Sequence, residues 1–513
     1  MGYLSADIFK SRLFPVSVII VLVLIKATFA FKGARSFPDE YFYNYSLFFL
    51  DSIRNGVWKD AIYNLYNTGR PLANIFYLIP SVCQAVLYQV AGIDPREPPS
   101  LIFPIIFNLL VHGGLMLTFF YLIKSIFKVK WMAFGGLIIY ASLVNNNIYI
   151  RHLFPYDLSL WLFLTALLLL VRLISAKNPD KIWGNKILFL SGAFTAASFL
   201  SYPGFYNGII PVGLLTLFYC YQHSRYKIKN TAINLSSLGA GYLLPLISFE
   251  LLAKTGQYNY FAKLSNLSGT IIQGDFDEGF VFPFNYLFSV EGLPGLILIS
   301  GFILYLLSYK KSLKILPVNI LCVSLLLIYL YHAWSSFFGQ KMVFYGRLLH
   351  IYFPFLVIGF LAFVHLFSRK IAILILAICS LISALTFIRF YVDYQKIAYP
   401  PDVLWSLVQQ QGCTGQLSMT DEIETSSGFT PVNSTKHLNS SSCDEEWTII
   451  NCSFFHPVKR RKEAPQSPEN QNFMFSKLHF QLFPAYQYEG MTLRERAILN
   501  NLKPRISIYR NRD

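Results

Sequence analysis

The chain reads as an all-α polytopic membrane protein. It should have about eleven transmembrane helices, interfacial helices in its first outer loop, and a small C-terminal α/β extracytoplasmic domain. Three observations lead there. The 513 residues are 54% hydrophobic and 14% charged, whereas soluble domains average roughly 45–50% apolar and about 25% charged. The apolar residues gather into many runs of about 18 or more, the length a helix needs to cross hydrocarbon. A membrane β-barrel would instead alternate in segments of about ten. Finally, the formal charge of +16 falls in short loops between apolar runs, where membrane topology places basic residues. Nucleic acid is therefore not the expected partner; the bilayer is.

The first span is Phe14–Phe31, behind Lys10 and Arg12. Ala27-Thr28-Phe29-Ala30 could pass for a signal-cleavage site, but Lys26 interrupts the apolar region before it, so the segment reads as a retained helix. A long first outer loop, residues 32–100, follows. It holds Asp39-Glu40, a helical stretch Tyr41–Ile53, the break Asn55-Gly56, and then Gly69-Arg70-Pro71 opening an apolar segment Leu72–Val90. Further spans are expected at Leu101–Ile123, Trp131–Val144, Leu158–Ile174, Ile187–Leu200, Phe205–Tyr221, Thr231–Leu252, Leu293–Leu307, Ile315–Tyr331, Leu348–Phe367 and Ile371–Phe387.

Basic residues set the orientation. Lys10/Arg12, Lys124/Lys128/Lys130, Arg172/Lys177/Lys181/Lys186, Arg225/Lys227/Lys229, Lys310/Lys311/Lys314 and Arg369/Lys370 occupy every second loop. These loops, with the N-terminus, are expected to be cytoplasmic. Were Leu72–Val90 a full span, the alternation would break; the segment is therefore read as a helix in the interface. The opposite face receives Asp39-Glu40, Arg70, Asn145–Asp157, Lys254–Pro283, Ala333–Arg347 and the tail. Glu250 and His112, inside spans, read as mid-membrane polar candidates or as satisfied core residues.

The division falls near residue 390: a transmembrane domain over 1–390, then a polar extracytoplasmic tail over 391–513. Strand-like pieces occur at Gln416–Met419, Trp447–Phe455 and Arg505–Tyr509, a helix at Met491–Asn501, and an irregular stretch around Lys459–Asn472. Lys459-Arg460-Arg461-Lys462 reads as a solvated loop. Cys83, Cys220, Cys322 and Cys379 lie in apolar runs as small hydrophobes. Cys413, Cys443 and Cys452, in the tail, allow at most one disulfide, its pair left open.

The unusual polar residues thus collect on one face. Carboxylates there can take a proton or hold a cation, and arginine binds phosphate with two parallel hydrogen bonds. Together they suit transfer of a group from a lipid phosphate. An Asp275-Phe276-Asp277 loop with no nucleotide-binding domain around it reads as a surface acidic loop.

In order along the chain, these features resemble the GT-C superfamily of polyprenyl-phosphate-sugar-dependent glycosyltransferases, in its aminoarabinose-transferase and protein O-mannosyltransferase branches. Pro38-Asp39-Glu40 with Asn55-Gly56-Val57-Trp58 is similar to the family's first loop. Gly69-Arg70-Pro71-Leu72 through Gly92 is similar to its basic-Pro segment, and Arg151 to Asp157 ahead of Leu158–Trp161 to its second acidic motif. Tyr345-Gly346-Arg347 through Pro354 resembles the segment near the lipid phosphate. Ser201-Tyr202-Pro203-Gly204 stands where the family has Thr-Lys-Gly, and Arg70 where one branch has Lys. The resemblance implies a membrane glycosyltransferase taking a hexosyl or pentosyl group from a polyprenyl-phosphate donor to a lipid, glycan or protein acceptor, with inversion. It implies Asp39 as general base, Glu40 beside it, Asp157 as a second acidic site residue, and Arg70, Arg347 and Arg151 on the lipid phosphate. It also implies a bacterial inner membrane with the tail in the periplasm. A divalent cation at the carboxylates is compatible but not required. The competing readings are a transporter or flippase of lipid-linked sugars and a non-catalytic scaffold. His152 and His350 rank below the other candidates.

Overall fold

The protein is described by a computed structural model covering residues 14–30, 42–95, 99–176, 180–223, 228–271, 279–308, 316–339 and 346–395, with short segments at 417–419, 447–450, 471–478 and 505–511. It is a polytopic helical membrane protein. The chain begins with α1 (Phe14–Ala30), then α2 (Asn44–Arg54), α3 (Trp58–Tyr66) and α4 (Pro71–Ala91). Next come α5 (Ile102–Phe127), α6 (Lys130–Ser142), α7 (Val144–Ile148), α8 (Tyr156–Ser175) and α9 (Lys181–Ser201). They are followed by α10 (Ile209–His223), α11 (Ile228–Thr255), α12 (Tyr260–Ile271) and α13 (Phe282–Tyr286). The last four are α14 (Leu293–Leu307), α15 (Leu316–Phe337), α16 (Tyr352–His365) and α17 (Arg369–Gln395).

Each expected span is a helix. Among the described residues eight helical segments are long and apolar enough to cross a membrane, with α1 and α14 as shorter apolar helices. At 13 residues, α6 is about 20 Å long, less than the roughly 30 Å of hydrocarbon. The segment expected in the interface, α4, is one 21-residue helix and meets the length and apolarity of a span. Its faces are inverted relative to a soluble helix: Asn74, Ser81 and Gln84 point inward while Ile79, Val82, Val86 and Val90 point out. Polar groups without water must find partners inside the protein. Gln84 Nε2 donates to Pro95 O at 2.6 Å, Tyr43 donates to Gln84, and Asn74 Nδ2 donates to Leu65 O at 2.8 Å. These bonds stitch α4 to the first loop.

The same inversion makes α17 a peripheral helix, with Ile371, Leu374, Ile378, Leu381, Leu385 and Ile388 exposed. By contrast α16 is buried along nearly its whole length, and α8 along most of it. These two are the most deeply buried of the span-length helices. Elsewhere, small residues let helices close on one another. At the crossing of α9 and α11, a Cβ on Gly241 would lie 2.0 Å from Phe189 O, and one on Gly192 would lie 2.2 Å from Leu238 O. Glu250 is a satisfied core residue: its Oε2 accepts the Phe261 amide at 3.0 Å, at the start of α12.

In the tail, β1 (Leu417–Met419), β2 (Trp447–Ile450), β3 (Gln471–Leu478) and β4 (Arg505–Asn511) form one sheet in the order β1-β2-β4-β3. The β1–β2 pair is parallel and the others antiparallel. Three strands begin at or within a residue of their expected positions. The fourth, β3, was not expected, because a register shift between Phe473 and Phe475 breaks the period-two alternation that marks a strand. The expected helix Met491–Asn501 lies outside the described residues, as do Cys413, Cys443 and Cys452.

Gly241→Ala should lower the thermal unfolding midpoint in detergent, by about 1–3 kcal/mol of overpacking strain. Gly239→Ala, on the same helix with open space around its Cβ, should leave the midpoint unchanged or raise it.

Candidate functional site

Asp157 enters on the first turn of α8, directly after Pro155, which ends the preceding segment, and Tyr156. A carboxylate there faces the positive end of the helix dipole. The side chain is 11% exposed, and both oxygens are engaged by imidazoles: Oδ2 with His112 Nδ1 at 2.8 Å, Oδ1 with His350 Nε2 at 2.9 Å. His112 comes from the middle of α5. His350 comes from the 3-10 turn Gly346–Ile351 that feeds α16. The far nitrogen of His112, Nε2, lies 2.9 Å from Nζ of Lys26 on α1, a lysine only 2% exposed. One carboxylate on α8 is therefore bonded from α5 and from the turn, and α1 joins through the His112 ring.

The chain of contacts continues beyond His350. Its Nδ1 is 2.7 Å from Asn145 Oδ1. With its amide in that orientation, Asn145 Nδ2 donates to the Tyr286 hydroxyl at 2.7 Å and to Gly346 O at 3.4 Å. The backbone amides of Val144 and Asn145 both donate to Glu291, at 2.7 Å each. Asn145 thereby ties α7 to the turn that carries His350. Burial pushes the Glu291 carboxyl up to about 7, against the two amide bonds that favour its ionised form.

Above this core lies an aromatic wall carrying two arginines. Arg347, half-buried on the same turn as His350, donates from Nη1 to the Tyr156 hydroxyl at 3.1 Å. The Tyr156 ring packs edge-on against Tyr202 at 4.7 Å. Arg70 lies over Tyr202 at 5.2 Å and over Phe42 at 5.0 Å, within cation–π range. Tyr202 is thus a platform for Arg70. The Tyr77 hydroxyl is within electrostatic reach of both Asp157 and Arg70.

Of the residues expected from the sequence, Asp157, Arg347 and Arg70 come together around Tyr156 and Tyr202. Asp39 and Glu40 lie outside the described residues, as does the Arg151 side chain; its backbone closes the 3-10 turn Tyr149–Arg151. His152 is buried, its carbonyl accepting from Asn108 Nδ2 at 3.2 Å. The sequence undervalued His350 and His112, and passed over Lys26, Asn145 and Glu291. Only the lysine inside an apolar run carried a signal, since an intramembrane charge demands a partner. Among the described residues no three His, Cys, Asp or Glu side chains are arranged to hold a metal ion. The grooves beside α9, lined by Phe189, Lys186 and Lys229 among others, share no residue with this cluster.

No family model matches the sequence, and no curated protein matches it. Among solved structures, the chain is similar to the crystal structure of ArnT from Cupriavidus metallidurans bound to undecaprenyl phosphate. The match covers 83% of this chain and 76% of that one, with 10% identity and a TM-score of 0.48.

Because the folded Glu291 value lies above the ordinary 4.5, the folded protein keeps a proton that the unfolded chain has already released. Its contribution to stability is complete below the ordinary value and is lost as pH rises to about 7. The thermal midpoint should therefore fall across this window, and Glu291→Gln should flatten that part of the profile.

Proposed function

We propose that the protein is an integral membrane glycosyltransferase that moves a hexosyl or pentosyl group from a polyprenyl-phosphate donor to a lipid, glycan or protein acceptor. The reaction takes place on the outer face of a bacterial inner membrane, with the N-terminus cytoplasmic and the tail periplasmic. The observation that carries this reading is the grouping of Asp157, Arg347 and Arg70 around Tyr156 and Tyr202. These residues come from segments distant in sequence, all assigned beforehand to one face by the alternation of basic loops. The ordered resemblance of those segments to GT-C motifs supports the same reading.

In this reading Asp39 takes the proton of the acceptor hydroxyl, and Glu40 orients the acceptor or the base. The acceptor oxygen attacks the anomeric carbon from the side opposite the phosphate. The bond from that carbon to the phosphate oxygen breaks, and its electron pair leaves with the polyprenyl phosphate, so the anomeric centre inverts. Arg70, Arg347 and Arg151 offset the charge on the leaving phosphate. Asp157, with both oxygens held by imidazoles, orients and balances charge rather than accepting the proton. Asp39 and Glu40 could also hold a divalent cation, without the scheme requiring one.

A second reading, a transporter or flippase of lipid-linked sugars, draws support from the buried Lys26–His112–Asp157 chain, since ionisable groups inside spans often mark transport pathways. Asp39→Asn separates the two. In glycan profiles of cells carrying the wild-type gene, no gene, or Asp39→Asn, the glycosyltransferase reading expects one glycan product to vanish without the gene. That product should fall by about a hundredfold or more with the variant, while protein level is unchanged. Loss of product without the gene but full product with Asp39→Asn would favour transport and overturn the enzyme assignment.

A further inference from the structure

A lysine ammonium has only donors, and an imidazole nitrogen that accepts from it must be unprotonated. Lys26 Nζ lies 2.9 Å from His112 Nε2, while His112 Nδ1 lies 2.8 Å from Asp157 Oδ2. Two proton arrangements satisfy both contacts with one cation against one carboxylate: an ammonium on Lys26 beside a neutral His112 ring protonated at Nδ1, or a neutral amine on Lys26 beside a His112 imidazolium. An alkylamine is ordinarily a far stronger base than an imidazole, so the proton belongs on Lys26 and the ring stays neutral. An imidazolium beside the ammonium would put two adjacent cations against the one oxygen, away from water. The ring then acts as a fixed spacer, tying the carboxylate oxygen to an ammonium that it does not touch. The other oxygen is held by His350, three residues after the turn's arginine, Arg347.

We propose that Lys26 is a positioning residue that acts through the His112 ring to fix the orientation and charge of Asp157, and with it the outer site flanked by Arg347 and Arg70. The part of this concerning the outer site rests on the glycosyltransferase reading; the Lys26–His112–Asp157 arrangement itself does not. Nothing else in the first span needs a lysine: its neighbours Leu24 and Ile25 face outward and are exposed, while Lys26 turns inward to a partner 86 residues away. The charged and titratable groups that face His112 are Lys26 from α1, Asp157 from α8 and His350 from the turn before α16.

The test uses the full-length protein in lipid nanodiscs with ring-15N-labelled histidine, and the His112 signal is identified by its loss in His112→Gln. In the wild type, His112 should carry its proton on Nδ1 and stay singly protonated from about pH 8 to about pH 5, the range in which histidine ordinarily changes charge. Lys26→Met removes the donor at Nε2 and the neighbouring cation, so His112 should take a second proton within that range. Lys26→Arg should keep the wild-type pattern. A wild-type His112 protonated at Nε2, or titrating in that range, overturns the proposal; so does a Lys26→Met ring indistinguishable from wild type. The wild-type spectrum decides even if the variants fail to fold.

A second arm measures sugar transfer from polyprenyl-phosphate donors. Lys26→Met should lower kcat about tenfold or more near pH 8 with little change in donor KM, and should recover in part near pH 5, where a protonated His112 replaces the missing charge. A loss independent of pH, an increase in KM alone, or an unchanged kcat would leave Lys26 a structural residue and overturn the positioning role. Absence of transfer by the wild type counts against the glycosyltransferase reading, and the histidine spectra still decide the proton arrangement.

Discussion

The structure is organised around one buried carboxylate. Asp157 has both oxygens bonded to imidazoles at 2.8 and 2.9 Å, and one of those rings reaches a buried lysine. A carboxylate or an ammonium placed alone in a low-dielectric interior would be strongly unfavourable. Each member of the chain is therefore tolerable only while the others are in place. That mutual requirement sets the registry of α1, α5, α8 and the turn before α16 more sharply than apolar packing could. Leucines and phenylalanines fill space at many helix rotations, but hydrogen bonds of this geometry form at one.

The same constraint explains how the arginine-bearing side of the cluster is built. The turn Gly346–Ile351 presents His350 inward to Asp157 and Asn145, and Arg347 toward the Tyr156 hydroxyl. Tyr156 is the residue before Asp157, so one end of α8 meets both. The aromatic contacts from Tyr156 to Tyr202 and from Tyr202 to Arg70 extend this order to the first loop. A guanidinium stacked on aromatic faces is confined to few rotamers, so less side-chain entropy remains to be lost when it takes a further partner.

Asn145 and Glu291 play a supporting part. The short helix α7 has only five residues, too few to be stable on hydrogen bonding within itself. Glu291 holds its first two amides, and Asn145 links it to His350 and Tyr286. The loop before α8 is thus fixed by side chains rather than by its own backbone.

The positions of the spans were readable in the chain because a bilayer imposes a length and an apolarity on any helix that crosses it. Alternating basic loops grouped Asp157, Arg70 and Arg347 together for a similar reason, and in the fold the three gather around Tyr156 and Tyr202. Asp157 and Arg347 stood out because each abuts an apolar run. Lys26 stood out as a charge in an apolar run, but one cation there has no local pattern naming its partner. Asn145 and Glu291 look like ordinary loop residues, and β3 was hidden by its bulge. Helix content and topology follow from local composition and periodicity, which each segment carries within itself. The convergence of Lys26, His112, Asp157 and His350 depends on how far each helix is rotated and shifted against the next, and that is decided only when all of them pack at once.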